Sequence, residues 1–174
     1  RVVNDLKVPA TSFKATDIII ITNPVKTADG LHSVKRVHKI TEVRKHWSQD
    51  PLAEKGFVDL MLYNVEKDEL EPTPELINGD SEIIKSIAGS VKGWAGDWDA
   101  VFDNILLRAR IKQEIVDASI KLKKPALLEA EFNSISNGAF HQISEKVRED
   151  LNKSDTNTIF NRWKDWMYTT ASKF

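Results

Sequence analysis

Hydrophobic positions recur at strand spacing in the first part of the chain and at helical spacing in the second. Ile18–Ile21 is a β-branched run, which predicts a strand buried on both faces. A second strand is predicted over Val34–Trp47, and its imperfect alternation indicates a bulge or a strong twist. Phe57–Tyr63 has the pattern of another well-covered strand. These patterns predict a small sheet in the first part of the chain.

Helical spacing begins at Asp80, which is the predicted N-cap of a helix that ends at Gly93. A long helix with two apolar stripes is predicted from Asp97 to about Leu122, so we expect it to pack on two sides. Two further helices are predicted at residues 136–151 and 158–170. The expected fold class is therefore α/β, with strands followed by helices.

Composition restricts the class of protein. The chain has 174 residues, 41% of them hydrophobic and 29% charged, as in an ordinary globular protein. It contains no cysteine, which excludes disulfides and thiolate metal sites and agrees with a reducing cytoplasm. The longest aliphatic run has four residues, whereas a helix needs roughly 20 to span a bilayer. We therefore expect neither a transmembrane segment nor a signal peptide.

Charge is distributed unevenly along the chain. Residues 1–47 hold nine Lys or Arg against four Asp or Glu, and residues 48–117 hold seven against fifteen. A basic first segment beside an acidic middle favours docking between copies or with a partner protein. Nucleic-acid binding is not expected, because the basic strand lacks interleaved aromatic residues apart from Trp47.

Several passages resemble the archaeal branch of the secretion, pilus and archaellum ATPases. The first is Asp17–Thr22 followed by Ala28–Trp47. The tail segments Ser136–Glu145 and Phe160–Trp163 are also similar to the C-terminal tails of that family. The passages between them that carry the resemblance are Glu69–Thr73, Asn78–Glu82, Ile83–Ala88, Gly93–Trp98 and Arg108–Val116.

The resemblance implies the C-terminal portion of a RecA-like subunit, from a hexameric ring that uses ATP and Mg²⁺ to assemble or rotate a surface filament. Residues 1–78 would be the distal strands of that core, in a short mixed sheet, and residues 79–174 a C-terminal helical subdomain. The ring would lie in the cytoplasm, peripheral at the membrane face, against a membrane platform protein of the filament machinery.

The loop that cradles the nucleotide phosphates in a P-loop enzyme is absent from this sequence. It contains no G-x-x-x-x-G-K-[ST] loop, and in the family the nucleotide-binding motifs come before these strands. No catalytic residue is assigned, and we expect the chain alone to be inactive. The alternative is a protein-interaction module or adaptor without catalytic function.

The basic second strand supplies the candidate site. Arg36 is the candidate for a contact with a neighbour's phosphates across a subunit interface, as in ring ATPases. The cations Lys35, Lys39 and Arg44 are candidate interface residues. The alternative is a solvated strand edge that its charges protect from aggregation.

Other polar groups suggest no site. His38 and His46 lie eight residues apart on one strand, too far to share an ion, so no metal site is expected. The carboxylates Asp97, Asp99 and Asp103 are explained by helix capping and dipole compensation. Trp166 lies off the main apolar stripe of its helix and is a candidate partner contact.

Overall fold

The computed structural model describes residues 5–174, which form an α/β fold. The chain divides into two compact units after Trp98, and each is described by itself below. The first unit contains all four strands together with three short helices, and the second is wholly helical. The order of strands followed by helices agrees with the sequence prediction.

The first unit is built on an open four-stranded sheet in the order β1-β2-β3-β4. All three strand pairs are antiparallel, so the expected mixed sheet was wrong for the described residues. The connections β1–β2 and β3–β4 are short, and short connections join antiparallel neighbours. The elements are α1 (Ala10–Phe13), β1 (Ile18–Lys26), β2 (Ser33–Val43), β3 (Phe57–Asn64), β4 (Glu69–Pro72), α2 (Pro74–Ile77) and α3 (Glu82–Gly89).

The predicted irregularity of the second strand is confirmed. Ile21 pairs with Lys39, but Thr22 pairs with Val37, so that one extra residue of β2 lies between the two pairs. A second register shift follows between β2 and β3 after Ile40. Extra residues of this kind bend the strand and increase its twist.

The isoleucine run lies in a strand, but its expected burial on both faces was wrong. Ile20 is 59% exposed and Ile18 is also exposed. β1 is the first strand in the sheet order, and its outer edge pairs with no other described strand. β-branched residues favour an extended backbone wherever they lie, so the run predicts a strand without predicting its cover.

An aromatic group closes one end of the sheet. The Trp47 side chain is fully buried, and the Phe13 ring lies 6.1 Å from it and 6.2 Å from Phe57. Lys14 Nζ lies 4.7 Å from the Trp47 ring, within the range of a cation–π contact. Short helix α1 is therefore held to the sheet by its last residue.

The second unit consists of three long helices and a short 3₁₀ helix. They are α4 (Trp98–Lys121), the 3₁₀ helix (Pro125–Leu128), α5 (Ala130–Leu151) and α6 (Thr156–Ala171). The three long helices were predicted, although α5 begins six residues earlier than expected. Phe132, Trp163 and Met167 lie fully buried in one apolar core to which α4, α5 and α6 all contribute.

Short polar side chains cap the starts of α3 and α6. Asp155 Oδ1 accepts a hydrogen bond from Thr158 N at 2.7 Å and caps α6. Ser81, rather than the predicted Asp80, caps α3 by accepting from Ile84 N at 3.2 Å. The helix ends at Gly89, four residues before the predicted end. A cap satisfies N–H groups that have no partner within the helix.

Gly79 and Gly89 provide a matched test of the backbone in the first unit. Gly79 has φ +78°, and a Cβ there would lie 2.7 Å from the Trp98 ring. Gly79→Ala should lower the free energy of unfolding by about 2 kcal/mol, because it adds backbone strain and a clash. Gly89→Ala, in helix α3 with open space around it, should be neutral or stabilise by up to about 1 kcal/mol. Urea unfolding of both variants checks the opposite signs.

Candidate functional site

The basic strand β2 is an inner strand, because it lies between β1 and β3. The alternative interpretation of a solvated strand edge was therefore wrong for this strand. Lys35, Arg36 and Lys39 all lie within β2, whereas Arg44 follows its last residue, Val43. These four cations differ in burial and in hydrogen-bond partners, and these differences determine which of them a ligand can reach.

Arg36 is held by a carboxylate from the turn between β3 and β4. Its Nε donates to Asp68 Oδ1 at 2.7 Å and its second guanidinium nitrogen donates to Asp68 Oδ2 at 2.8 Å. Tyr63 Oη donates to the same carboxylate at 2.5 Å. The hydrogen bonds from Arg36 and then Tyr63 hold the pKa of Asp68 well below its usual range. Asp68 is therefore an anion in the site.

This arrangement leaves the Arg36 guanidinium oriented but accessible. Its side chain is 38% exposed, and the two hydrogen bonds to Asp68 fix the plane of the group. Arginine binds a carboxylate and a phosphate with the same paired geometry. Asp68 thus occupies the position that an incoming phosphate would take.

Lys39 and Lys35 differ in their partners. Lys39 Nζ lies 3.1 Å from Asp59 Oδ2, and Thr41 Oγ1 donates to the other oxygen of that carboxylate. The exposed Lys35 side chain forms no hydrogen bond or ion pair with any residue of the described chain, 5–174. Of the predicted interface lysines, Lys35 is the one left available to a partner.

Arg44 is buried, unlike the other cations. Its side chain is 6% exposed and lies among three carboxylates. Arg44 Nη1 is 2.9 Å from Glu82 Oε1, and Nη2 is 3.0 Å from Asp80 Oδ1. Arg44 Nε is 3.2 Å from Glu42 Oε1 but lacks the angles of a hydrogen bond. Arg44 was expected at an interface, but its burial favours a structural role.

The partner of Arg44 within the sheet is Glu42, which sequence analysis did not identify. Its carboxylate is fully buried, accepts from Ser81 Oγ, and accepts from Glu82 N at 2.9 Å. Burial opposes the charge of Arg44, but hydrogen bonding to Glu82, the charge of Glu42 and hydrogen bonding to Asp80 raise its pKa overall. An acidic residue two positions before an arginine, within an apolar strand pattern, is the only sequence signal of this pair.

Trp166 is half-buried against its own unit. Its ring stacks on Phe132 with 6.4 Å between ring centres and 24° between planes. The side chain also packs against the core of the helical unit. This stacking accounts for an aromatic residue at the position without a partner, and the expected interface contact stays a prediction.

The histidines lie in separate places. His32 Nδ1 pairs with Asp29 Oδ2 at 2.5 Å in the turn after β1, and His46 Nε2 donates to the Glu54 carbonyl at 2.7 Å. Within residues 5–174 no three His, Asp or Glu side chains are grouped to hold a metal ion.

No helix within residues 5–174 combines the length and apolarity needed to cross a bilayer.

The loop after Trp47 folds around one carboxylate. Glu54 accepts hydrogen bonds from the backbone N–H groups of Ser48, Gln49 and Asp50 at 2.7 to 2.8 Å. These bonds, chiefly those from Gln49 and Ser48, lower the pKa of Glu54 to about 2. The carboxylate organises the loop that follows buried Trp47.

No model of a known protein family matches the chain, and a search of curated proteins returns no match. The candidate site therefore rests on the chain's own residues, with Arg36 and Lys35 accessible and Arg44 enclosed.

Neutralising Glu42 should destabilise the first unit strongly. Glu42→Gln removes a buried charge opposite Arg44, so we expect the free energy of unfolding to fall by about 3 kcal/mol. The matched variant Glu82→Gln changes the same charge on a side chain that is 57% exposed. Its effect should stay below about 1 kcal/mol. Equal losses in denaturant unfolding of the two variants would contradict the structural role of Glu42.

Acid should loosen the Glu54 loop only at very low pH. Because the folded pKa lies below the ordinary value of 4.5, the stabilisation by this group is complete above that value. It is lost as the pH falls through about 2. Carboxyl-carbon NMR should place the Glu54 midpoint near the lower value, and the amide shifts of residues 48–50 should follow it. In Glu54→Gln the amides of Ser48 and Gln49 should lose the transition near the lower value, whereas a Glu54 midpoint near 4.5 in the unmodified chain would contradict the hydrogen-bond pattern.

Proposed function

We propose that the chain is the C-terminal portion of a ring-forming ATPase of the archaeal secretion, pilus and archaellum type. Its parent powers the assembly or rotation of a surface filament, and ATP and Mg²⁺ bind residues that precede this stretch in the parent. The chain itself relays force from the end of the ATPase core to a helical subdomain. The observation that carries the proposal is the sequence resemblance, which extends through both units.

The architecture is compatible with a relay. Strands of the first unit are tied to helix α3 through the buried group of Glu42, Arg44 and Ser81. Rigid polar connections of this kind allow a displacement of the sheet to move the start of the helix with it. The helical unit adds three helices around one apolar core, a body suited to contact with a partner.

Arg36 supplies the proposed contact between subunits. In ring ATPases a positive group from a neighbour stabilises the negative charge that develops on the transferred phosphoryl group. Arg36 is partly exposed and oriented by Asp68, and the nearby Lys35 side chain has no partner among residues 5–174. Release from Asp68 would exchange one pair of charge-assisted hydrogen bonds for another, so the step has a small net cost.

The partners follow from the same proposal. A basic first segment and an acidic middle segment are complementary charges that suit head-to-tail contact between copies, as a homo-hexamer requires. The helical unit would face the membrane platform protein from the cytoplasmic side. No nucleic acid is involved.

The second candidate function is a non-catalytic interaction module or adaptor. It is favoured by the strand pairing, since each strand of the described residues, 5–174, pairs with its neighbours in sequence. In that case nucleotide would have no effect on any assembly of the chain.

Arg36 and Asp68 provide the test in the complete parent ATPase. Arg36→Gln should lower kcat by about a thousandfold, because it removes stabilisation of the transition state, with little change in KM for ATP. Asp68→Asn should leave kcat unchanged or higher, because it frees Arg36. Steady-state ATP hydrolysis by the assembled ring measures both effects.

Lys26→Gln is the control, since Lys26 is an exposed cation on the adjacent strand β1. It should leave kcat unchanged. If Arg36→Gln behaves like Lys26→Gln, the phosphate contact is wrong. Tight binding of ATP by the isolated chain, measured by calorimetry, would overturn the broader proposal that the nucleotide site lies elsewhere in the parent.

A further inference from the structure

A small cavity of about 70 Å³ lies between α4 and α5 of the helical unit. Four of its lining side chains are polar and at least partly exposed, and these are Arg108, Lys112, Asn133 and Asn137. Each helix contributes two of them at a spacing of four residues, so that they stand one turn apart at the mouth. No carboxylate lines the cavity.

The two cations at the mouth have no anionic partner in the part of the chain that the structure describes. Arg108 Nε donates to Asn104 Oδ1 at 3.1 Å, and its NH1 reaches Asn137 Oδ1 only at 3.5 Å. Its guanidinium carbon lies 4.6 Å from the centre of the Phe140 ring. Within residues 5–174 neither Arg108 nor Lys112 forms an ion pair. Two unneutralised positive charges at one opening attract an anion.

The two asparagine side chains at the mouth differ in whether their Nδ2 donors already form hydrogen bonds. Asn133 Nδ2 is engaged by the carbonyls of Leu128 and Glu129, at 3.2 and 3.0 Å, and offers nothing to a ligand. Asn137 Nδ2 has no acceptor among the described residues. The available donors are therefore those of Arg108, Lys112 and Asn137.

The floor of the cavity is apolar apart from one hydroxyl. Ile111, Ile115 and Phe140 line it and are buried. Ser136 is also buried, and its hydroxyl makes no hydrogen bond with another described side chain or backbone group. A charged rim above an apolar floor suits a ligand that has an anionic head and a short hydrocarbon tail.

We propose that this cavity binds the carboxylate of a short branched aliphatic acid. The carboxylate accepts hydrogen bonds from Arg108 and Lys112 at the rim, and the hydrocarbon tail lies on Ile111, Ile115 and Phe140. An apolar cavity of about 150 Å³ holds benzene, so a cavity of half that volume admits a group of about three or four carbons. Two sources offer this chemistry, namely a free acid and the C-terminal leucine or valine of a peptide chain.

Isovalerate is the probe, titrated into the full chain at constant ionic strength and followed by amide NMR. Shift changes should be confined to residues around 108–115 and 133–140. Acetate retains the charge without the tail, isovaleramide retains the tail without the charge, and phosphate is an anion without hydrocarbon. Each should bind at least about tenfold more weakly than isovalerate, because each lacks one of the two complementary parts.

Substitutions locate the binding. Arg108→Gln and Lys112→Gln should each weaken isovalerate binding by about tenfold. Lys112 is exposed and forms no ion pair with a described residue, so its variant tests the site even if Arg108→Gln fails to fold. Lys146→Gln makes the same charge change on α5 away from the cavity and should leave binding unchanged.

N-acetyl-leucine distinguishes the two sources. Binding as tight as that of isovalerate supports the end of a peptide chain as the natural ligand, and much weaker binding supports a free acid. Equal binding of isovaleramide, tighter binding of phosphate, or the absence of localised shifts with isovalerate would each overturn the proposed site.

Discussion

The fully buried carboxylate of Glu42 is the constraint on which the first unit depends. An ionised group removed from water is destabilising unless it is paired and hydrogen-bonded. Its partners are Ser81 Oγ and Glu82 N at the start of α3, with Arg44 beside them. Ser81 and Glu82 lie 39 and 40 residues from Glu42 in sequence. The sheet and the helix must therefore meet in one arrangement for the charge to be satisfied, and that arrangement also places Ser81 as the cap of α3.

Burial separates the cations of β2 and its extension into two classes. Arg44 is enclosed by Glu42, Asp80 and Glu82, so that a ligand could reach it only by breaking the group that holds the helix. Arg36 has a single carboxylate partner from a turn and keeps more than a third of its side chain in water. Exposed pairs of this kind contribute little to stability. The chain can therefore release Arg36 to a partner without losing its fold, and it cannot release Arg44.

Sequence patterns predicted the helices and strands, because each of these elements depends on many residues at once. The three long helices follow from apolar periodicity summed over sixteen residues or more, and the strands follow from β-branched and alternating runs. The burial of the isoleucine run was not predictable from its sequence. Strand preference is a local property, whereas burial depends on which elements of the fold pack against the strand. The ion group was missed for a similar reason. Glu42 resembles any strand carboxylate until the fold brings Ser81 to it, and Arg44 cannot be separated from Arg36 by sequence position alone.

The exposed face of β1 bears on the choice between the two proposed functions. Ile20 is opposite Ile40 on β2, and the outer edge of β1 has no described strand beside it. An exposed edge with apolar β-branched residues invites association with other chains, and proteins that work alone usually protect such an edge with charge, proline or a covering element. Pro24 lies in β1, whereas the isoleucine run 18–21 itself contains neither a charged residue nor a proline. An adaptor would leave this surface open to solvent, whereas the ATPase core that we propose would cover it with further strands. The edge therefore favours the motor over the adaptor, even though strand pairing within the sheet is complete.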